Sequence, residues 1–237
     1  MNQVARFPWN GFPDVLIHSP ERLVKQHRAY VAAKAGDAIA AAELVWETLS
    51  LDILGRLWDL FDERRPILVS AHADEASGVN AIPEALANAI SVLLKWPRER
   101  DVIQANVVGH TGANGYVRLQ RQVLFSGIVP SGLHYVLVDD FIGQGGTLAN
   151  LRGHILKQGS AVLGATVLTG KAYSASLALT DTHLAELRRK HGTIEFWWKQ
   201  RFGFGFECLT ASEARYLIRT PTSARIIARL EEIAGER

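Results

Sequence analysis

The hydrophobic pattern of the chain divides near residue 66. Before that point apolar residues recur at helical spacing. Ser19-Pro20 supplies a cap and a first-turn proline, so one helix is expected from there to about Ala35. Gly36-Asp37 breaks and recaps the chain, and a second helix is expected over 38–61. Ahead of them, residues 1–18 carry Pro8, Trp9, Phe12 and Pro13 and read as an irregular arm. From Pro66 onward short apolar runs alternate with helical stretches, the signature of a parallel sheet. Strands are expected at 67–71, 102–108, 135–139, 161–169 and 194–198, and helices at 82–94, 148–158 and 180–191. Residues 116–125 alternate imperfectly and suggest a hairpin or excursion. Thr210 and Glu213 spell a capping box, so one or two helices close the chain. The expected domains are an arm with helical extension over 1–65 and an α/β domain over 66–237.

Composition narrows this picture without changing it. Hydrophobic residues make up 48% and charged residues 21%, values of a globular chain, and the net charge of +2 is too mild to point to nucleic acid. Cys208 is the single cysteine, which fits a reducing compartment. No basic stretch leads into an apolar core at the start, and no apolar run approaches the ~18 residues of a membrane span. A cytoplasmic protein without membrane partners is expected.

The chemistry concentrates in YVLVDDFIGQGGTLAN, residues 135–150. An apolar strand ends in Asp139 and Asp140, a glycine turn follows, and a helix pattern begins after Thr147. Amides at a helix start attract phosphate, and carboxylates beside them suit sugar hydroxyls. Val136 to Leu148 resembles the signature of type I phosphoribosyltransferases: apolar triplet, two acids, two apolar and two variable positions, then Gly-Gly-Thr. The resemblance implies a parallel α/β fold of that kind with a C-terminal hood. It also implies transfer of phosphoribosyl from phosphoribosyl pyrophosphate (PRPP) to a base, with Mg²⁺ carried on the substrate and a homodimer as the assembly.

By position, the resemblance gives Asp139 and Asp140 the ribose, and Gly143, Gln144, Gly145, Gly146 and Thr147 the 5′-phosphate. The loop after the first core strand, HADEASGVNAIP (72–83), would contribute Ala73, Asp74, Ser77 and Gly78 to the pyrophosphate. There Asp74 and Glu75 repel a diphosphate unless Mg²⁺ lies between or they point away. His72 beside them does not amount to a protein-held metal site. The segment GHTGANGYVRLQRQ (109–122) offers Arg118 and Arg121 as catalytic cations in a region where the family often places lysine or arginine. Lys171 stands where 6-oxopurine members contact the base carbonyl, whereas Gly143 removes the aspartate those members carry, so the base stays open. The aromatic stretch Phe196 to Phe206 is expected to be packing, with one or two rings over a base. Two other readings remain: a non-catalytic PRPP or nucleotide-binding regulator, and a hydrolase using His72 or Glu75.

Overall fold

A computed structural model describes residues 4–71, 80–106 and 114–235. Its centre is a five-stranded, all-parallel sheet built from β1 (Leu16–Ile17), β2 (Ile67–Ser70), β3 (Arg98–Glu99), β6 (His134–Ile142) and β7 (Ala161–Gly170), in the order β1-β7-β6-β2-β3. The two long strands, β6 and β7, lie side by side in the middle, where strands covered on both faces read as continuous apolar runs. This is the α/β architecture the alternating pattern predicts.

The side-chain period of two splits β6 between two cores. Val136 and Val138 face a cluster built with Leu68, Leu168 and the helices α3 (Ala38–Thr48), α4 (Leu51–Phe61) and α5 (Ile82–Leu94). Tyr135 and Leu137 face the opposite cluster, which holds Val69, Ala165, Val167 and the apolar side of α7 (Gly146–Lys157). The N-terminal helices therefore pack directly on the sheet. Trp9 and Phe12 of the arm join the α7 side, where the Arg152 guanidinium lies 4.9 Å and 5.3 Å from their ring centres.

Several elements differ from the pattern-based expectation. The first helix is two short ones, α1 (Glu21–Lys25) and α2 (Tyr30–Lys34), and the second is split into α3 and α4. That second break has a local cause: Leu49 is extended, and the Ser50 hydroxyl caps α4 by accepting the Ile53 amide at 3.3 Å. The neighbour of β2 is β3, while the expected strand at 102–108 contributes β4 (Ile103–Gln104), paired antiparallel with β5 (Phe125–Ser126) outside the main sheet. Residues 115–120 form α6 (Gly115–Gln120), started by Asn114, whose side chain accepts the Val117 amide at 3.1 Å.

The expected strand at 194–198 is the start of a helix, α9 (Glu195–Phe202). Trp198 and Phe202 lie one turn apart there, ring centres 4.4 Å from each other. With α8 (Asp181–His191), α10 (Ala211–Ile218), α11 (Ser223–Gly235) and α6 they form a third core, in which Trp198, Phe202, Phe204 and Phe206 are buried. The aromatic stretch is thus chiefly packing.

Candidate functional site

The motif folds as strand, turn and helix at the carboxyl end of β6. Of its three glycines, Gly145 is required by its backbone, and Gly143 and Gly146 lie against charged side chains. Gly145 has φ +80°, a left-handed conformation that strains any residue with a Cβ, and a Cβ there would overlap Leu177. A Cβ on Gly146 would come within 2.9 Å of Glu213 Oε1, and one on Gly143 within 2.8 Å of Arg118 Nη1. The Thr210 hydroxyl fixes the turn by donating to the Gln144 carbonyl at 2.6 Å. Gly145 is also the residue preceding α7, and no side chain caps that helix start. Residues 143–147, with Asp139, Asn150 and Glu213, line a cavity of about 40 Å³.

The acidic pair does not act as one group. Strand alternation sends Asp139 into this cavity and Asp140 to the other face, where Lys34 Nζ donates to its Oδ2 at 2.7 Å. Asp139 is almost fully buried and accepts the Asp140 amide at 2.8 Å. Burial, reinforced by the neighbouring Asp140 charge, holds the Asp139 carboxyl well above the usual carboxylate range. Lys34 is raised: burial opposes its charge, but the attraction of Asp140 outweighs that. Burial thus favours the protonated form of Asp139, the form able to donate to a ligand oxygen.

Behind the turn lies a buried polar network that the local pattern does not reveal. Arg6, from the arm, donates to Glu213 at 2.7 Å and 3.1 Å, to Asn150 Oδ1 at 2.6 Å and to Gln122 Oε1 at 3.0 Å. Glu213 also accepts the Thr210 amide at 2.9 Å, completing the capping box of α10. Its charge is thus paired with that of Arg6 beside Gly146. The sequence signals Glu213 only as a helix cap, and Arg6 and Lys34 not at all.

The remaining predicted residues are distributed unevenly. Arg118, half-buried on α6, lines the small cavity and a larger neighbouring cleft, and burial lowers its pKa. Arg121 is exposed at the end of α6 and lines neither. Lys171 lies in the larger cleft with its Nζ 2.7 Å from Glu21 Oε2. Ala73, Asp74, Ser77 and Gly78, with His72 and Glu75, lie outside the described residues. Among the described residues one trio of possible metal ligands converges, His27, Glu43 and Glu47, far from the motif in sequence. The geometry there suits an ion pair better. His27 Nδ1 accepts the Ala29 amide, so Nε2 carries the proton it gives to Glu47, and Arg28 bridges both glutamates.

No protein-family model matches the chain. It is similar to a curated protein of Escherichia coli named Protein TraN, 35% identical over 236 residues, which cover 99% of this chain and 53% of that protein. It is also similar to an uncharacterized protein of Haemophilus influenzae, 36% identical over 157 residues, 66% of this chain and 35% of that one. The chain spans about half the length of the first relative and about a third of the second. Among solved structures, adenine phosphoribosyltransferase of Leishmania donovani aligns with a TM-score of 0.34 and 15% identity, covering 56% of this chain and 58% of that one. Likeness at that level carries no argument about fold or chemistry. Among the described residues no helix is long and apolar enough to cross a membrane. The relatives correct one expectation from the motif: neither bears the name of a phosphoribosyltransferase, and transfer of phosphoribosyl to a base does not stand as the activity of this chain.

Proposed function

We propose that the chain binds a sugar phosphate of ribose 5-phosphate type, with the phosphate on the turn 143–147. The observation that carries this reading is the turn itself. Its glycines are held by φ, by Leu177 and by the Arg6–Glu213 pair, so the amides entering α7 are pre-set at the carboxyl end of parallel strands. Such a helix start favours an anion through its unpaired N–H groups and its dipole. The cavity volume, about 40 Å³, suits a group of phosphate size and not a whole nucleotide. Gln144 adds a second sign: its Oε1 is buried with no hydrogen-bond partner among the described residues. A half-turn of that amide would put a donor NH₂ beside the turn in place of the unpartnered oxygen. Asp139, whose protonated form burial favours, faces the same cavity as a donor for the sugar side.

Calorimetric titration tests this directly. Ribose 5-phosphate should bind while ribose does not, and inorganic phosphate should compete. Equal behaviour of ribose and ribose 5-phosphate, or no binding of either, would sink the reading.

A further inference from the structure

Beside the small cavity lies an open cleft of about 690 Å³, and the two share Arg118, Phe141, Gly143 and Gln144 in their walls. The charge of this cleft is one-sided. Lys25, Arg118, Lys171, Arg215 and Arg219 line it against a single carboxylate, Glu21. Both lysines already hold that carboxylate, Lys25 at 2.5 Å and Lys171 at 2.7 Å. The excess of cations over anions in this one cleft exceeds the +2 carried by the whole chain. A net charge averaged over the surface conceals such a concentration.

Its geometry is as specific as its charge. The Arg118 guanidinium occupies the space a side chain at 143 would fill, so a glycine there lets one arginine face both cavities. Arg215 is oriented by two bonds, to the Tyr173 carbonyl at 2.8 Å and to Ser212 Oγ at 2.7 Å. Arg219 follows one turn later on the same side and is exposed. Tyr173, 70% exposed, and Tyr216 add aromatic surface to the same walls. Forked donors beside exposed rings are the combination that meets phosphate and base together.

We propose that this cleft receives a second phosphate, separated from the first by a ribose. The ligand class is then a nucleotide phosphorylated on both sides of its sugar, whether a free nucleoside 3′,5′-bisphosphate or the 5′-phosphorylated end of an oligonucleotide. This rests on the phosphate reading of the turn. In it Arg118 stands between the two phosphates, and Arg215 and Arg219 grip the outer one.

The test is calorimetry at fixed ionic strength with adenosine 5′-monophosphate, adenosine 3′,5′-bisphosphate and a 5′-phosphorylated dinucleotide. The bisphosphate or the dinucleotide should bind at least about tenfold more tightly than the monophosphate, the scale of one added charge-assisted contact. In the doubly substituted Arg215→Ala, Arg219→Ala protein that ratio should fall to about one. Both residues lie at the cleft rim, and a matching far-ultraviolet spectrum checks that the variant folds. A gain with the bisphosphate alone assigns the free nucleotide, and one with the dinucleotide assigns a nucleic-acid end. Equal affinity for all three overturns the second site and leaves the phosphate turn standing. A gain that survives the double substitution also overturns it. Failure of every ligand, the monophosphate included, overturns both readings.

Discussion

Replacing Gly145 by alanine separates the two constraints on the turn. The backbone there has φ +80°, and an L-residue in that region costs about 1–2 kcal/mol. The new Cβ also meets the Leu177 side chain, which is buried at 1% exposure. Overpacking of that kind costs about 1–3 kcal/mol, so Gly145→Ala should destabilise by about 2–5 kcal/mol. Leu177→Ala alone should cost about 2–5 kcal/mol through the cavity it leaves. In the double variant the added methyl occupies part of that cavity. Its loss should therefore fall short of the sum by about 1–3 kcal/mol, the overlap portion. Urea unfolding of the four proteins gives the cycle, with an unchanged m-value as the check that compactness is preserved. Additivity within about 0.5 kcal/mol would show that Leu177 is not the obstacle. A neutral Gly145→Ala would remove the left-handed turn, and with it the pre-set amides of α7.

Other groups give independent tests. Burial pushes His18 down to about 4, against 6.5 when solvated, so the native state holds it neutral while the unfolded chain takes up a proton below pH 6.5. Stability should therefore fall by about 3 kcal/mol as pH drops from 6.5 to 4, and His18→Asn, which keeps an acceptor for the Ser50 amide, should flatten that slope in urea titrations. Asp139 has the opposite sign. Its raised pKa favours the protonated native form, so its contribution is full at low pH and is lost as pH climbs through the folded value. Asp139→Asn should be at least as stable as the parent at pH 8 and less pH-dependent; a loss above about 1 kcal/mol would contradict a neutral carboxyl. Arg6 and Glu213 have side chains only 1% and 3% exposed, so Arg6→Ala should cost about 3–5 kcal/mol in thermal or urea unfolding by stranding a buried carboxylate. Arg6→Met with Glu213→Leu should recover part of that, and no recovery would mean that the surrounding bonds to Asn150 and Thr210 dominate.

The legible elements were those whose limits are written locally. The helix at 82–94 and the strand at 161–170 agree closely with the apolar pattern, because proline and glycine punctuate them. The strand pairs β1 and β3 were not legible: each is two residues long and exists through its neighbour in the sheet. The Trp-rich start of α9 looks like a strand until its helical partners are in place, since short apolar runs carry no decisive period. The motif folds, as its pattern predicts, as strand, turn and helix. Adjacency in sequence, however, made Asp139 and Asp140 look like one site, whereas the strand extends past them to Ile142 and pleating places them on opposite faces. Lys34 meets Asp140 across 106 residues and Arg6 meets Glu213 across 207, separations at which no local spacing offers a signal.

That last separation bears on how the protein comes into being. The back wall of the crevice joins an arginine near the beginning of the chain to a glutamate near its end. During synthesis, chain segments become available in order from the N-terminus. Arg6 is made well before α10, so its partner carboxylate is not yet present when it emerges. The strands β2, β6 and β7 are also made before α10, so the wall behind the turn forms only once α10 is available. A chain truncated before Glu213 is therefore expected to keep most of its sheet while leaving the crevice without its wall.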